Sequence, residues 1–153
     1  MRLGVVLYED FELLDAYGPL EMFGCLAEEI ETVVIAENKG PVKSTPGPKA
    51  LAEYDFTDAP ELDLLLLPGG IGTLPALENQ NLLTFLKTRC PQIPINMSVC
   101  TGSALFARAG LLDGLRATSN KMLFSLASSQ SDKVDWVENA RWVDAGQYVT
   151  SSG

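Results

Sequence analysis

Residues 95–103 have the sequence Ile95-Asn96-Met97-Ser98-Val99-Cys100-Thr101-Gly102-Ser103, and this stretch decides the predicted fold. Its apolar residues lead to a cysteine, which is followed at once by small residues that can begin a helix. A sharp strand-to-helix turn that presents a nucleophile is known as a nucleophile elbow. The stretch therefore predicts a buried strand over 94–99 and a helix over 101–109 closed by Gly110, with Cys100 at the turn between them.

Strand and helix patterns alternate along the rest of the chain. We predict strands over 2–8, 30–36 and 62–67, and helices over 12–25 and 79–90. Pro19 is expected to kink or restart the first helix, and residues 40–48 predict the turn of an antiparallel excursion that ends near Tyr54. Weaker patterns predict a short helix around 122–128 and strands near 134–137 and 141–149. Such alternation is typical of a flavodoxin-like three-layer α/β/α sandwich with a mostly parallel central sheet.

Composition limits the classes of function. A length of 153 residues fits one domain, 1–153. The net charge is −9, and the eleven Lys and Arg residues are scattered, which argues against direct binding to nucleic acid. No apolar run approaches the roughly 20 residues that a membrane helix needs. The three cysteines lack metal-like spacing and are expected to be reduced, so we predict a cytoplasmic protein without a metal site.

The absence of histidine restricts the chemistry further. It removes the commonest general base and every Cys-His or Ser-His triad, so catalysis depends on carboxylates, thiols or backbone groups. Cys100 is the first candidate, because a thiol at a helix N-terminus is expected to have a lowered pKa. The alternative is that Cys100 is simply a buried cysteine, since free cysteine is among the most buried residue types.

Two further segments are candidate parts of the same site. Pro68-Gly69-Gly70 follows another apolar strand, and the backbone N–H groups of Gly70 and Thr101 are predicted to hold an oxyanion, with Gly69 beside them. A plain turn is the alternative. Asp15 lies among apolar helix residues and is predicted to face the crevice, where it can contact Cys100 or donate a proton. Its alternative role is a solvated or helix-capping carboxylate.

These residues resemble the ThiJ/PfpI family within the class I glutamine amidotransferase-like superfamily, and in particular its isonitrile hydratase branch. The matching stretches are Asp10-Phe11-Glu12-Leu13-Leu14-Asp15-Ala16-Tyr17-Gly18-Pro19-Leu20-Glu21-Met22-Phe23, Leu67-Pro68-Gly69-Gly70, Cys100-Thr101-Gly102-Ser103, and 109–118. The resemblance implies that Cys100 is the nucleophile and Asp15 its acid partner, with the Gly70 and Thr101 amides as anchors. It implies a lyase reaction, the addition of water to an isocyanide to give an N-substituted formamide, with no cofactor.

The chain also departs from the family pattern. Relatives often have a histidine shortly after the Arg-Ala-Thr at 116–118, where this chain has Ser119-Asn120. Asn120 cannot act as a general base, so a protease or amidase is disfavoured. Two alternatives to the hydratase remain: the ligand-sensing domain of AraC-type transcription regulators, and a redox sensor that uses a low-pKa Cys100.

The resemblance also concerns the end of the chain and its partners. Relatives continue past the Ser/Gly turn into a helix and often form dimers, so we expect a truncated C-terminal helix, a homodimer, and a small molecule as substrate or ligand. Ser151 and Ser152 are predicted to line the site.

Overall fold

The chain folds into eleven strands and five α-helices. The computed structural model describes all 153 residues. Its strands are β1 Arg2–Val6, β2 Glu31–Ala36, β3 Gly40–Lys43, β4 Lys49–Ala52, β5 Tyr54–Asp55, β6 Leu64–Leu67, β7 Ile95–Val99, β8 Arg116–Ala117, β9 Asp135–Trp136, β10 Trp142–Asp144 and β11 Tyr148–Ser151. Its helices are α1 Leu13–Gly24, α2 Thr73–Ala76, α3 Gln80–Arg89, α4 Gly102–Arg108 and α5 Phe124–Ser128, with a 3₁₀ turn at Cys90–Gln92.

Seven strands form the central sheet in the order β10-β11-β7-β6-β1-β2-β5. Every neighbouring pair is parallel except β10 and β11, which form an antiparallel edge. The strands β3 and β4 make a separate antiparallel hairpin, as the turn pattern over 40–48 predicts. The predicted flavodoxin-like class, with a mostly parallel sheet, is confirmed.

The core lies on both faces of this sheet. Along β6, Leu65 and Leu67 join a cluster of 23 buried residues, whereas Leu64 and Leu66 join a second cluster of 12. Successive side chains of a strand point to opposite faces, so this alternation requires a covering layer on each side. Residues of α3, α4 and α5 complete the larger cluster, and residues of α1 and of the β3–β4 hairpin complete the smaller one.

Two details differ from the sequence-based expectation. Helix α1 runs without a restart through Pro19, whose ring removes the backbone hydrogen bond that residue 19 would donate to the carbonyl of Asp15. The predicted strand over 141–149 is wrong, because β10 and β11 are separate strands joined by a tight turn. At that turn Asp144 Oδ1 accepts a hydrogen bond of 2.8 Å from the Gly146 amide, and Gly146 has a φ of 83°, a conformation that favours glycine.

The topology brings three chain segments to one edge of the sheet. The chain passes from β1 outward to β2 and later returns to β6 on the other side of β1, which makes a topological switch point between β1 and β6. Ligands of open α/β sheets bind at the carboxyl ends of strands near such a point. Tyr8, Gly69 and Cys100 follow the carboxyl ends of β1, β6 and β7. None of the helices has the length and apolar character needed to cross a membrane.

Candidate functional site

Cys100 forms the predicted sharp turn between β7 and α4. Its φ is 58°, a left-handed conformation that is uncommon for any residue other than glycine. Neighbouring segments hold it there: the Cys100 amide donates to the Ser151 carbonyl at 3.0 Å, and the Cys100 carbonyl accepts from the Ser119 hydroxyl at 3.0 Å. Strained backbone that the surroundings enforce is concentrated at functional sites.

The Pro68-Gly69-Gly70 loop packs directly against this turn. A Cβ atom on Gly69 would lie 2.6 Å from the Thr101 amide nitrogen and 2.9 Å from the Cys100 Cβ. The Gly69 carbonyl also accepts from the Glu12 amide at 2.7 Å, which ties the loop to the start of α1. Glycine is therefore required at position 69 by the close approach of two backbone segments.

Asp15 lies in the first turn of α1 rather than mid-helix, and it is buried, with 8% of its surface exposed. Its Oδ2 accepts a hydrogen bond of 3.1 Å from the Gly69 amide. Burial raises the pKa of the Asp15 carboxyl, and the hydrogen bonds from Gly69 and Cys100 oppose this only in part. Asp15 is therefore not solvated, and its carboxyl lies beside the Cys100 thiol.

The pKa of Cys100 contradicts the expectation of a lowered value. The pKa of the thiol is raised to about 11, first by burial and second by the charge of the nearby Asp15 carboxylate. The Thr101 amide and the Asn120 side chain oppose these effects without cancelling them. The reason is tertiary: the helix terminus does favour the thiolate, but desolvation and a like charge outweigh it. Cys100 is therefore protonated at neutral pH.

Asn120 belongs to the site although its sequence position indicated only a missing base. Its side chain is one of the groups that lower the pKa of the Cys100 thiol. The preceding residue, Ser119, is fully buried and donates to the Cys100 carbonyl, so the segment is fixed against the turn. The only sequence signal was that Asn120 lies where relatives often have a histidine.

The two predicted oxyanion donors, the amides of Gly70 and Thr101, differ in whether they already have an acceptor. The Gly70 amide already donates to the Thr101 hydroxyl at 3.1 Å, which leaves it unavailable without a rearrangement. The Thr101 amide donates to no backbone carbonyl and instead faces the Cys100 sulfur. The Gly69 amide is likewise occupied, by Asp15. One free amide, that of Thr101, is therefore aimed at the reactive atom.

A chain of buried hydroxyl groups supports the loop and the turn. Tyr8 donates to the Pro68 carbonyl at 2.8 Å, and its oxygen lies 2.9 Å from the Thr73 hydroxyl, which lies 2.8 Å from the Thr101 hydroxyl. The Thr101 hydroxyl also lies 3.4 Å from the Gly70 carbonyl. With its single proton on the shorter contact to Thr73, the bonds run from Gly70 through Thr101 and Thr73 to Tyr8. Every member donates once, so the network is satisfied.

The end of the chain lies beside the turn. Ser151 accepts the Cys100 amide at its carbonyl, and its hydroxyl donates to the Ser98 carbonyl at 3.3 Å. Ser152 is buried, and a Cβ on Gly153 would lie 3.6 Å from the Cys100 sulfur. Ser151 thus contacts the turn through its backbone, and Gly153 also lies beside Cys100.

The other candidate features lie elsewhere. Cys25 is exposed on the surface, and Cys90 is buried, with its pKa raised to about 12 by desolvation. A surface cavity of about 630 Å³ lies at the opposite edge of the sheet and is lined by Arg2, Asp63 and Arg89. Half of its lining residues are charged, and two of them, Arg2 and Glu31, form an exposed ion pair, so we place the candidate site at Cys100.

Comparisons with known proteins agree with this geometry. The model of the DJ-1/PfpI family matches residues 1–153. Isonitrile hydratase of Pseudomonas putida is 32% identical over 120 residues, which cover 78% of this chain and 52% of that protein. The HTH-type transcriptional regulator GbdR of Pseudomonas aeruginosa is 25% identical over 156 residues, covering 99% of this chain and 42% of that protein. The chain thus spans about half the length of these curated relatives.

A solved structure shows the same fold. The crystal structure of a ThiJ/PfpI family protein from Pseudomonas syringae has a TM-score of 0.86 and 29% sequence identity, covering 99% of this chain and 62% of that one. The whole of the sheet, the cysteine turn and the glycine loop lies within the matched residues. From its fold and from the match along its full length, the chain belongs to the DJ-1/PfpI family.

Proposed function

We propose that this protein is a cysteine-dependent enzyme that adds water to a small isocyanide and releases an N-substituted formamide. The observation that carries the proposal is the pairing of the Cys100 thiol with the buried Asp15 carboxyl. Both pKa values are raised, so the pair readily holds one proton between sulfur and oxygen. Such a pair can move a proton without histidine.

The first half-reaction adds the S–H group across the isocyanide carbon. Asp15 accepts the thiol proton as sulfur attacks, the S–C bond forms, and Asp15 returns the proton to the same carbon. The product is a thioformimidate, R–N=CH–S–Cys100, in which no atom has been lost. The raised thiol pKa suits this order, because the proton leaves only as the nucleophile attacks.

The second half-reaction uses water. Asp15 removes a proton from water as oxygen attacks the thioformimidate carbon, the C–S bond breaks, and the proton returns to sulfur. The released R–N=CH–OH tautomerises to the formamide R–NH–CHO. The net change is one isocyanide plus one water, and the thiol and carboxyl are regenerated. The Thr101 amide supports the sulfur while it carries negative charge.

The test is turnover of an alkyl isocyanide. Loss of the isocyanide infrared band and appearance of the formyl proton in NMR spectra are expected with wild type and with the Cys25→Ser/Cys90→Ser background. Cys100→Ser should abolish both signals. Water labelled with ¹⁸O should place the label in the formamide oxygen. Absence of turnover across alkyl and aryl isocyanides by correctly folded protein would overturn the proposal.

A ligand-sensing domain is the second candidate function. The relative GbdR is a transcriptional regulator whose similarity covers 99% of this chain, and a protonated Cys100 is compatible with a pocket that binds without reacting. The sequence of the full gene tests it, because this function requires a DNA-binding domain outside these residues. The redox-sensor alternative depended on a low thiol pKa, which the raised value contradicts.

The proposed partner is a second copy of this chain. Helix α1 exposes large apolar side chains, including Leu14 and Met22, with 74% and 71% of their surface accessible. Sedimentation velocity should show a dimer, and Met22→Glu should shift it toward monomer.

The cysteines are all free thiols, which supports a cytoplasmic location.

A further inference from the structure

The peptide unit between Pro68 and Gly69 is hydrogen-bonded at both of its ends. Its carbonyl accepts from the Tyr8 hydroxyl at 2.8 Å, and its amide donates to Asp15 Oδ2 at 3.1 Å. The peptide is trans, so its C=O and N–H groups point in opposite directions. Tyr8 and Asp15, which are both buried, therefore lie at opposite ends of one planar unit.

The next peptide unit holds this one in place. The Gly69 carbonyl accepts from the Glu12 amide at 2.7 Å, and the Gly70 amide donates to the Thr101 hydroxyl at 3.1 Å. Gly69 is also closely packed, since an added Cβ would lie 2.6 Å from the Thr101 amide nitrogen. The loop therefore fixes the geometry between the Tyr8 hydroxyl and the Asp15 carboxyl.

A hydrogen bond to the Pro68 carbonyl acts on the Gly69 amide, because both belong to the same peptide unit. When the Tyr8 O–H donates, it draws electron density toward the carbonyl oxygen and makes the N–H group a stronger donor. The Tyr8 proton is free for this bond, because the Thr73 hydroxyl, 2.9 Å away, donates to the phenol oxygen. Burial raises the pKa of Tyr8 far above its usual value, so the phenol remains neutral.

We propose that Tyr8 is a positioning residue that acts on Asp15 through the Pro68–Gly69 peptide, strengthening the bond from Gly69 and so keeping the carboxyl a proton acceptor. Burial alone would favour a protonated Asp15, and the Gly69 amide opposes this. The Tyr8 hydroxyl adds to that opposition without contacting Asp15. Its importance for catalysis rests on the proposed function, whereas its action on Asp15 does not.

The action on Asp15 can be measured without a substrate. The Gly69 amide is followed in proton–nitrogen NMR spectra: its proton shift reports the strength of the bond, and the pH dependence of that shift reports the ionisation of Asp15. The titratable groups that face Asp15 are Cys100 after β7, Glu12 before α1 and Tyr8 after β1. Asp15→Asn should abolish the transition, which assigns it to Asp15 rather than to these groups.

Tyr8→Phe removes only the hydroxyl group. The Gly69 amide proton should move upfield, and Asp15 should titrate about 0.5 to 1 pKa unit higher, since a weaker bond stabilises the carboxylate less. Thr73→Val is the matched control, because it removes the neighbouring hydroxyl and keeps the Tyr8 bond to Pro68. In this control Asp15 should titrate within about 0.2 unit of wild type.

Two results would overturn the action on Asp15. If Tyr8→Phe is folded by circular dichroism and Asp15 titrates as in wild type, Tyr8 merely satisfies the Pro68 carbonyl. If Thr73→Val shifts the titration as much as Tyr8→Phe does, general loosening of the hydroxyl network is the cause.

A second variant decides the question if Tyr8→Phe does not fold. Tyr8→3-fluorotyrosine keeps the hydroxyl and makes it a stronger donor, because the fluorinated phenol is more acidic. Asp15 should then titrate at a lower pH than in wild type. An unchanged or higher titration in the folded variant would contradict the inference.

The link to catalysis is tested separately. Asp15 must be ionised to take the thiol proton, so the acid limb of the kcat/KM profile should move to higher pH in Tyr8→Phe by the same amount as the Asp15 titration. If wild type hydrates isocyanides and this limb does not move, the catalytic importance of Tyr8 is overturned. If the titration shifts as expected and wild type hydrates no isocyanide, the action on Asp15 is supported and the hydratase proposal fails.

Discussion

Replacing Asp15 by asparagine should make Cys100 more reactive and the enzyme less active. The substitution is nearly isosteric, and its Oδ1 can still accept the Gly69 amide, which in the wild type donates to Asp15 at 3.1 Å. It removes the negative charge that raises the thiol pKa and the group that accepts the thiol proton. The two consequences have opposite signs, which makes the prediction specific.

The expected size follows from the pKa of the thiol. At about 11, roughly one thiol in a thousand is ionised at pH 8, against about one in four for an ordinary cysteine with a pKa of about 8.5. Burial is the largest cause of the shift and the Asp15 charge is the next. Two unit charges about 4 Å apart interact by roughly 4 kcal/mol at an effective dielectric constant of about 20, equal to about three pKa units. That figure is an upper limit, because burial is the larger cause of the rise of the thiol pKa from 9.0 to about 11, so Asp15→Asn should lower the thiol pKa by about one unit.

The assay compares alkylation with turnover on the Cys25→Ser/Cys90→Ser background. At pH 8, iodoacetamide should react with Asp15→Asn at least about tenfold faster than with the parent, and the difference should vanish above the parental pKa. Isocyanide hydration should fall by about 10²-fold or more, the usual scale for loss of a general acid–base group. Glu12→Gln is the matched control, since it neutralises a carboxyl that acts on Asp15 and is not among the groups that shift the Cys100 pKa.

One pattern would refute this reasoning. If Asp15→Asn alkylates more slowly than the parent while remaining folded, a protonated Asp15 carboxyl stabilises the thiolate by donating a hydrogen bond to it, and no carboxylate charge opposes it. The pair would then have its proton on oxygen, and Cys100 would be a preformed nucleophile.

Three further predictions concern stability. Because the folded-state pKa of Asp15 is raised above the ordinary value of 3.8, ionisation of its carboxyl opposes folding as the pH rises above that ordinary value, so Asp15→Asn should raise the Tm at pH 7, and the gain should disappear below about pH 3, where the carboxyl is protonated in both states. Gly69→Ala should destabilise the protein by about 1–3 kcal/mol in urea unfolding, since its Cβ would overlap the turn, whereas Gly18→Ala, with open space around it inside α1, should stabilise it by about 0.5–1 kcal/mol. Tyr8→Phe leaves the buried Pro68 carbonyl without its donor and should cost about 1–3 kcal/mol in the same measurement.

The position of the site was predictable because local pattern determines it. Apolar runs end at Gly69 and Cys100, and parallel strands bring their carboxyl ends to one edge. Asp15 was assigned to the site because it precedes the Gly69 loop and Cys100 in the order that the family resemblance implies. The helix pattern alone was not sufficient, since a carboxylate among apolar helix residues can equally be a cap. The roles assigned to these residues remain predictions that the experiments above test.

The electrostatics of the site were not predictable from sequence. The helix N-terminus at Cys100 was visible in the pattern and favours a thiolate, but the burial that outweighs it depends on how distant segments cover the turn. Asn120 was missed for the same reason: its place beside the turn depends on the preceding residue, Ser119, which bonds to the Cys100 carbonyl. The hairpin near Gly146 was missed because a side-chain turn at Asp144 interrupts an otherwise strand-like run.

The enzyme forms a covalent bond between the Cys100 sulfur and the isocyanide carbon, whereas a ligand sensor does not. The mass of the Cys100 peptide therefore distinguishes the two functions. Adding S–H across an isocyanide loses no atom, so an acid-quenched reaction should show the Cys100 peptide heavier by the full mass of the isocyanide, and the Cys25 and Cys90 peptides unchanged. Cys100→Ala should show no adduct and no turnover. A sensor requires the shape of the pocket but not the sulfur, so isocyanide binding by Cys100→Ala with wild-type affinity, together with an unmodified Cys100 in the wild type, would contradict the enzyme and leave ligand sensing as the function.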